Sequence, residues 1–372
     1  MEKWTALNVA DEFVFAMKEL GLAEPTPVQE TAIPRQLAGD NLVVTAPTGT
    51  GKTLAFLAPL FSRLDSSREE TQAVILAPTY ELCIQISGVL QKLSEAGANS
   101  LKVQQLIGGA NIARQIEKLK KKPHIIVGSP GRIIELARMK KLKLGSVKVL
   151  ILDEFDRMLD DQNLAILADM MKLLPSVEKL QTLCFSATAS PKALERVSFL
   201  GEPEHLTVGG RLAMPEGIDH YIRQCSFREK IDNIRRLARS LEVKRGLVFI
   251  GRSSNVDWVS GKLTYEGLKI ASLIGRQDKQ ERQSAVASLK SGKARLLLTT
   301  DIAARGLDIP DVDVVFNLDI PDTAAMYLHR AGRTGRAGAK GMVVTMVDPR
   351  EKEKFQTITR KLNIRPQLLK GN

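Results

Sequence analysis

The chain is poor in cysteine and in long apolar runs, and each shortage excludes a class of protein. Cys83, Cys184 and Cys225 lie far apart in no metal-ligand spacing, which favours reduced thiols and a cytoplasmic protein over a disulfide framework. The longest uncharged apolar runs fall well short of the ~18 residues of a membrane span. The first residues, Met1–Thr5, include an acid and no signal-peptide core. We therefore expect a protein that is neither exported nor embedded in a membrane.

Aromatic residues are also scarce, at 5% of the chain, with four Tyr and two Trp. Charge is not scarce: 54 basic residues against 42 acidic ones give a formal net charge of +12. This excess favours a polyanionic partner such as nucleic acid. Because few rings are available to stack on bases, contacts to the phosphate backbone would have to provide most of the affinity.

Length and hydrophobic pattern predict two α/β domains. A chain of 372 residues is long for one core and suits two. Short runs rich in Val, Ile and Leu alternate with helical patterns, which is typical of parallel sheets covered by helices on both faces. The alternation of strand and helix patterns is interrupted after Thr207, so we predict domains over 1–207 and 218–372 with a linker over 208–217. Strands are predicted at 41–45, 73–77, 103–107, 125–127, 149–152 and 182–185, then at 247–250, 269–273, 295–299, 312–317 and 341–347; helices are predicted over 9–20 and from 352 into the tail.

The segment 46–53, A-P-T-G-T-G-K-T, follows a predicted strand and precedes a predicted helix. Such a strand, glycine-containing turn and helix form a phosphate cradle, in which backbone N–H groups and the helix N-terminus point at the phosphates. Lys52 would reach the outer phosphates and the Thr53 hydroxyl would ligate Mg²⁺. The pattern predicts a nucleoside triphosphate site made of Thr48, Gly49, Thr50, Gly51, Lys52 and Thr53.

Two acids follow the apolar run 149–152 directly. In an open α/β sheet, ligands bind at the carboxyl ends of the strands. Asp153 is placed to hold a Mg²⁺ that bridges the phosphates, and Glu154 to orient and deprotonate an attacking water. A solvated acidic turn is the alternative, which the phosphate cradle upstream in the same predicted sheet disfavours.

Together these segments resemble the DEAD-box family of ATP-dependent RNA helicases, over nearly the whole chain. In the first half, 21–29 resembles the Q motif, 46–53 motif I, 77–82 motif Ia, 108–109 the GG element, 129–132 motif Ib, 153–156 motif II and 186–188 motif III. In the second half, 248–251 resembles motif IV, 300–308 motif V and 329–336 motif VI. The resemblance implies two RecA-like domains, each a mostly parallel sheet flanked by helices, that hydrolyse ATP at the cleft between them.

The resemblance also implies roles for single residues around ATP. Gln29 would read the adenine edge and Asp308 would contact the ribose. Arg333 and Arg336 of motif VI would neutralise charge on the γ-phosphate, as a guanidinium from a second body does in phosphoryl transfer. Because both arginines lie in the second domain, hydrolysis would require the two domains to close over ATP.

Small polar and basic positions of the same motifs are expected to bind RNA. Such contacts reach phosphates and sugars and carry little base information, while contacts to the 2′-OH would distinguish RNA from DNA. We expect a monomer whose partners include RNA and proteins or ribonucleoproteins. The RNA positions are Thr79, Gly109, Arg132, Thr300 and Arg305, and the positions that couple hydrolysis to unwinding are Ser186 and Thr188.

Four residues depart from the family pattern. Tyr80 stands where Arg is usual, which removes a cationic phosphate contact, and Leu22 replaces the aromatic that stacks on adenine. Lys279 replaces Gln in the QxxR element. Phe155 replaces Ala in the namesake tetrapeptide; alternation at a strand end predicts that it packs into the domain rather than crowding the 186–188 loop. No catalytic group is lost, so ATP hydrolysis is a more secure prediction than efficient unwinding.

The predicted function is RNA-stimulated ATP hydrolysis coupled to local unwinding of RNA duplexes or to remodelling of RNA–protein complexes. An ATP-gated RNA clamp with negligible unwinding stays open, and multiple-turnover unwinding of a short duplex would separate the two. A small-molecule kinase would not need the arginine-rich motif of the second domain. A DNA translocase of the same superfamily would respond to DNA rather than to RNA.

Overall fold

The computed structural model describes residues 1–47, 49–98, 100–161, 163–208, 214, 217–251, 256–274, 277, 279–304, 309, 312–335 and 340–369, without the side chains at 279 and 302. The chain divides into two compact units, Met1–Arg211 and Leu212–Asn372. Most of the linker predicted at 208–217 lies outside the described residues, so its bounds stay a prediction. Within the described part, no helix is both long and apolar enough to cross a bilayer.

The described residues of the first unit form one seven-stranded sheet. Its strands are β1 Leu42–Thr45, β2 Ala73–Leu76, β3 Val103–Leu106, β4 Ile125–Gly128, β5 Val149–Asp153, β6 Gln181–Ser186 and β7 Glu204–Thr207. Their spatial order is β3-β4-β2-β5-β6-β1-β7, and every neighbouring pair is parallel.

The second unit repeats this topology. Its strands are β8 Ile218–Gln224, β9 Gly246–Phe249, β10 Ile270–Leu273, β11 Leu296–Thr299, β12 Val314–Asn317, β13 Gly341–Val347 and β14 Gln367–Leu368. The order is β10-β11-β9-β12-β13-β8-β14, again with parallel neighbours. Counted from its own first strand, this is the same order as in the first sheet, and it confirms two α/β units of the same architecture.

Helices connect the strands, as parallel pairing requires. In the first unit they are α1 Glu2–Thr5, α2 Asp11–Glu19, α3 Pro27–Ala38, α4 Lys52–Arg63, α5 Tyr80–Glu95, α6 Ile112–Leu119, α7 Pro130–Arg138, α8 Phe155–Met158, α9 Leu164–Met171 and α10 Pro191–Val197. In the second unit they are α11 Lys230–Ser240, α12 Val256–Tyr265, α13 Lys279–Lys290, α14 Asp301–Ala304, α15 Ala324–Ala331 and α16 Lys352–Lys361.

Alternation along the central strands places one hydrophobic core on each face of each sheet. In β2, Ala73 and Ile75 belong to one core, whereas Val74 and Leu76 belong to the other. In β9, Leu247 and Val248 are likewise divided between two cores. Since both faces are covered, these strands consist of apolar residues throughout, which is why the sequence revealed them.

The sequence missed the strands that lack such runs. β7 and β14 are edge strands with mostly exposed residues, and β8 is half-buried along its length. The helix predicted from 352 through the tail is wrong beyond Lys361, where α16 ends. Asn363 then takes a left-handed φ of 51°, and Pro366 disfavours helix for itself and for the residue before it. The tail therefore returns to the sheet and pairs with β8.

Phe155 is fully buried in the first unit's second core, so the prediction that it packs is confirmed. The reason given for it is wrong, because β5 ends at Asp153 and Phe155 is the first residue of α8. Glu154 turns the chain between them with φ 52° and ψ 49°, a left-handed conformation that costs ~1–3 kcal/mol in a non-glycine residue. This turn, rather than strand alternation, directs the phenyl ring inward.

Replacing Phe155 by Ala should lower the free energy of unfolding of the first unit by ~3–5 kcal/mol, because burial is lost and a cavity is left. The measurement is urea unfolding of the full chain, following the transition of the first unit. Phe199, which is 39% exposed, provides the matched control, and Phe199→Ala should change stability by ~0.5 kcal/mol or less. Equal stability of the Phe155→Ala protein and the unmodified protein would contradict the packing role.

Candidate functional site

The loop between β1 and α4 begins beside β6. Strand register places Thr45 next to Ser186, and the Ala46 N–H donates to the Ser186 carbonyl at 3.1 Å. Gly49 and Gly51 have φ of 81° and 89°, a left-handed conformation that glycine adopts without strain. The loop therefore turns tightly, and α4 starts at Lys52 with its N-terminus at the carboxyl edge of the sheet.

Two side chains hold this loop. The Lys52 ammonium donates to the carbonyls of Ala46 and Pro47 at 2.6 and 2.8 Å. Gln29, only 2% exposed, donates from Nε2 to the Gly51 carbonyl at 3.0 Å and accepts the Thr26 N–H at Oε1 at 2.8 Å. An amide oxygen accepts two hydrogen bonds and its nitrogen donates two. Each end of Gln29 thus retains capacity for a ligand while it supports the loop.

Asp153 ends β5 in a buried position, 7% exposed. Burial and then the charge of Glu154 raise the pKa of its carboxyl group to about 7, while Lys52 opposes the shift. Its Oδ1 accepts the Glu154 N–H at 3.1 Å. Glu154 itself forms an ion pair with Arg157 at 3.2 Å. The carboxylate of Asp153 is thus a hard oxygen ligand whose charged form is disfavoured by burial and by Glu154. A divalent cation such as Mg²⁺ would stabilise that charge, so the site fits Mg²⁺.

Asp156 links the acidic turn to the loop after β6. Its Oδ1 accepts the Ser186 hydroxyl at 2.7 Å, and its Oδ2 accepts the Thr188 hydroxyl at 2.8 Å. The Thr188 N–H also donates to the Ser186 hydroxyl at 3.3 Å. One carboxylate therefore joins the segment that carries Asp153 and Glu154 to Ser186 and Thr188.

Strand order divides the carboxyl edge of the first sheet into two neighbouring halves. The phosphate loop, the acids and the 186–188 segment follow β1, β5 and β6, which are adjacent. Thr79, Gly109 and Arg132 follow β2, β3 and β4, which are adjacent on the other side. The boundary lies between β2 and β5, where Leu76 pairs with Leu152. Predicted nucleotide residues and predicted RNA residues thus occupy separate halves of one edge.

The three predicted RNA residues in this unit differ in what they can offer. Thr79 caps α5 by accepting the Leu82 N–H at 3.3 Å, and its own O–H is still able to donate. Gly109 is exposed with φ 72°, and a Cβ there would have no atom within 4 Å, so a ligand can approach its backbone. Arg132 is 11% exposed; it pairs with Glu135 at 2.9 Å and donates to the Ala110 carbonyl at 3.2 Å. Arg132 therefore positions the glycine segment.

In the second unit, Arg330 joins the carboxyl ends of three adjacent strands. Its guanidinium, 1% exposed, donates to both carboxylate oxygens of Asp301 after β11 at 2.7 Å. It also donates to Asn317 Oδ1 at 3.1 Å and to the Asp319 carbonyl at 2.6 Å, at the end of β12. The ring of Phe249 at the end of β9 lies 5.0 Å from the guanidinium carbon.

The other predicted residues of this unit are only partly described. Thr300 is 8% exposed and its hydroxyl accepts the Ala303 N–H at 3.3 Å. Arg333 follows α15 and donates from Nε to the His329 carbonyl at 3.3 Å. Thr48, Arg305, Asp308 and Arg336 lie outside the described residues, as does the side chain of Lys279.

Comparison with known proteins decides the family. A model of DEAD/DEAH box helicases matches residues 26–197, and a model of the helicase conserved C-terminal domain matches residues 229–338. The DEAD-box ATP-dependent RNA helicase CshC of Bacillus cereus is 39% identical over 360 residues, which cover 96% of this chain and 91% of CshC. This chain belongs to the DEAD-box family of ATP-dependent RNA helicases.

Further relatives agree with this assignment. The probable ATP-dependent RNA helicase YfmL of Bacillus subtilis is 40% identical over 365 residues, which cover 98% of this chain and 96% of YfmL. Among solved structures, Saccharomyces cerevisiae Dbp5 bound to RNA and ADP BeF3 has a TM-score of 0.88 and 27% identity, covering 99% of this chain and 96% of Dbp5. The two sheets of this DEAD-box protein are thus RecA-like, as the sequence predicted.

Two residues in this DEAD-box protein were not predicted as site residues. Asp156 is the last residue of motif II, and its bonds to Ser186 and Thr188 depend on the pairing of β5 with β6. Arg330 precedes Arg333 and Arg336 in motif VI, and its contacts with Phe249 of motif IV and Asp301 of motif V show that it joins the three motifs. The sequence did offer a signal for Arg330: it lies within a helical pattern over 324–331. A charged side chain on the buried face of a helix requires a partner.

We expect Arg330→Ala to destabilise the second unit by ~3–5 kcal/mol, because it removes a buried guanidinium and leaves Asp301, whose side chain is only 13% exposed, without that partner. Arg330→Lys should recover only part of this loss, since an ammonium cannot form the two-point contact. Arg333→Ala is the control on the same segment and should leave the thermal melt of the second unit nearly unchanged. A wild-type melt for Arg330→Ala would show that the buried pair is not needed.

Proposed function

We propose that this DEAD-box protein hydrolyses ATP when RNA is bound and uses the reaction to open short RNA duplexes or to remodel RNA–protein complexes. One observation carries the proposal: the nucleotide half and the RNA half of the first sheet's edge adjoin at β2 and β5. The similarity to CshC, an ATP-dependent RNA helicase, and to Dbp5 bound to RNA and ADP BeF3 supports RNA and ATP as the two ligands.

The chemistry assigned to the first unit is transfer of the γ-phosphoryl group of ATP to water. Lys52 and the backbone N–H groups of 49–53 bind the phosphates. Thr53 and Asp153 would hold Mg²⁺, which neutralises charge on the phosphate oxygens. Glu154, oriented by Arg157, positions the water and takes its proton as the oxygen bonds to phosphorus and ADP leaves.

Coupling between ATP and RNA is assigned to Asp156. A shift of the acidic turn on hydrolysis moves the hydroxyls of Ser186 and Thr188, because both are bonded to the same carboxylate. That segment follows β6, next to the strand that bears the acids. Motif III, residues 186–188, would thus couple ATP hydrolysis to unwinding through its hydrogen bonds to Asp156.

We assign the remaining ligand contacts mainly to residues of the second unit. Arg333, together with Arg336, contributes positive charge to the γ-phosphate, Asp308 binds the ribose, and Thr300 and Arg305 bind RNA. Gln29 reads adenine with the hydrogen-bonding capacity that the loop leaves. We assign the protein to the cytoplasm as a monomer with ribonucleoprotein partners, which is in keeping with its three free, buried cysteines.

Lys52→Ala and Glu154→Gln should impair different steps, ATP binding and ATP hydrolysis respectively. Lys52→Ala should abolish productive ATP binding, because Lys52 holds the phosphates in the ground state. Glu154→Gln should bind ATP and RNA but hydrolyse ATP at least ~10²-fold more slowly, because only proton transfer from water is impaired. Equilibrium binding of labelled ATP and a phosphate-release assay give the two readouts. Wild-type hydrolysis by Glu154→Gln would refute the assigned base.

Binding of RNA should depend strongly on salt and weakly on base sequence. If ~5–8 phosphates are contacted, log K should fall with log[salt] with a slope of roughly −4 to −6 for a single strand. Arg132→Ala should weaken binding, whereas Arg138→Ala, on the same helix but 64% exposed and paired with Asp169, should not. Anisotropy of labelled oligonucleotides measures both. A shallow slope with strong base preference would argue against backbone binding.

A further inference from the structure

Helix α12 in the second unit carries an exposed face that the motifs do not explain. Trp258, Lys262 and Tyr265 follow the spacing i, i+4, i+7, which places them on one side of a helix. Trp258 is 61% exposed and Tyr265 is 91% exposed. We call Trp258, Gly261, Lys262 and Tyr265 the α12 stripe. The opposite face of the helix is the buried one, with Val256, Val259 and Leu263.

Exposure of these rings is unusual for this composition. The chain has two tryptophans and four tyrosines, and the other tryptophan, Trp4, is buried. The Lys262 ammonium lies 5.6 Å from the centre of the Trp258 ring, within the range of a cation–π contact. An aromatic surface with a cation beside it is the type of surface on which unpaired nucleic-acid bases stack.

Gly261 is a second, independent observation at the same place. Glycine inside a helix is destabilising relative to alanine, so a packing requirement would ordinarily explain it. Gly261 has none, because a Cβ there would have no heavy atom within 4 Å. Its effect is to keep the space between the two rings open. The rings lie two helical turns apart, ~10 Å along the axis, which leaves room for a flat group over the glycine.

Charge identifies the class of occupant. By sequence, the second unit has 29 basic and 18 acidic residues, or +11, whereas the first has 25 and 24, or +1. Near the stripe, the exposed Arg239 donates to the Glu266 carbonyl at 2.6 Å, just beyond Tyr265. Two acids lie beside the stripe, Asp257 and Glu266, and Glu266 is paired with Arg235 at 3.4 Å. Because the charges beside the stripe nearly balance, it is the net charge of the whole unit that favours a polyanion.

We propose that the α12 stripe is a second RNA-binding surface, separate from the motif residues. Unpaired bases stack on Trp258 and Tyr265, and Lys262 and Arg239 contact the adjoining phosphates. Because every base has a face that can stack on a ring, the surface accepts any single-stranded sequence. This inference rests on the RNA substrate proposed above. It adds a second site at which the protein binds single-stranded RNA.

The first experiment is anisotropy of a labelled single-stranded oligo(U) with the full chain in the absence of nucleotide. Trp258→Ala and Tyr265→Ala should each weaken binding by ~5- to 100-fold, the loss expected for one stacked base. Phe199→Ala, an exposed aromatic of the first unit, is the matched control and should bind as the unmodified protein does. Tryptophan emission should be quenched on addition of RNA, and Trp258→Phe should remove most of that quenching.

A second pair of variants separates loss of binding from loss of folding. Gly261→Leu should raise the melting temperature of the second unit, because leucine favours helix, and yet weaken RNA binding by filling the space between the rings. A Cβ at Gly88 in α5 would likewise meet no heavy atom within 4 Å, so Gly88→Leu should raise the melting temperature of the first unit and leave RNA binding unchanged. A more stable protein that binds RNA less well cannot be explained by unfolding.

Three results would overturn the inference. Wild-type affinity in Trp258→Ala and Tyr265→Ala would do so, as would unchanged binding in Gly261→Leu. Self-association in sedimentation that Trp258→Ala abolishes would instead identify the stripe as an interface between copies. Failure of the proposed function would give a different pattern. RNA would not stimulate ATP hydrolysis by the unmodified protein, and Arg132→Ala would bind RNA as tightly as the unmodified protein does.

Discussion

Parallel pairing of the strands is the constraint on which both units depend. When all neighbours run in one direction, every strand ends at the same edge, and the loops that follow them meet there. The register then fixes which loops are neighbours: Thr45 lies beside Ser186, and Asp153 beside Phe185. Residues more than a hundred positions apart in the chain thereby reach one small region, where the proposed reaction would require phosphates, a metal ion and a water to be held together.

Each unit has one charged side chain that organises its edge. In the first, the Asp156 carboxylate accepts hydroxyls from Ser186 and Thr188. In the second, the Arg330 guanidinium donates four hydrogen bonds to groups at the ends of β11 and β12 and lies over the Phe249 ring at the end of β9. Hydrogen bonds to ionised groups in a buried setting are among the stronger ones, and losing one partner is costly. The loops at each edge are therefore connected through one side chain, so a ligand that displaces one loop would also displace the others.

The two units share a topology and differ in charge. The first holds the phosphate loop and is almost neutral, whereas the second carries nearly all of the net positive charge. This difference in charge agrees with the proposed function, in which the nearly neutral first unit binds ATP and the basic second unit attracts RNA. RNA affinity that comes from summed charge needs no particular fold, while phosphoryl transfer needs a few groups at fixed positions.

The sequence by itself determined the fold class and the central strands, because a doubly covered strand must be apolar throughout. It also predicted the nucleotide residues, because a phosphate loop needs its glycines and lysine in one contiguous segment. It did not reveal the edge strands β7 and β14, whose polar residues carry no such pattern. Only the tertiary structure decided that Asp156 and Arg330 organise their edges and that Glu154 turns Phe155 inward. It also showed that Trp258 and Tyr265 are exposed while Trp4 is buried. These properties depend on which side chains meet after folding, and residue type alone does not contain that information.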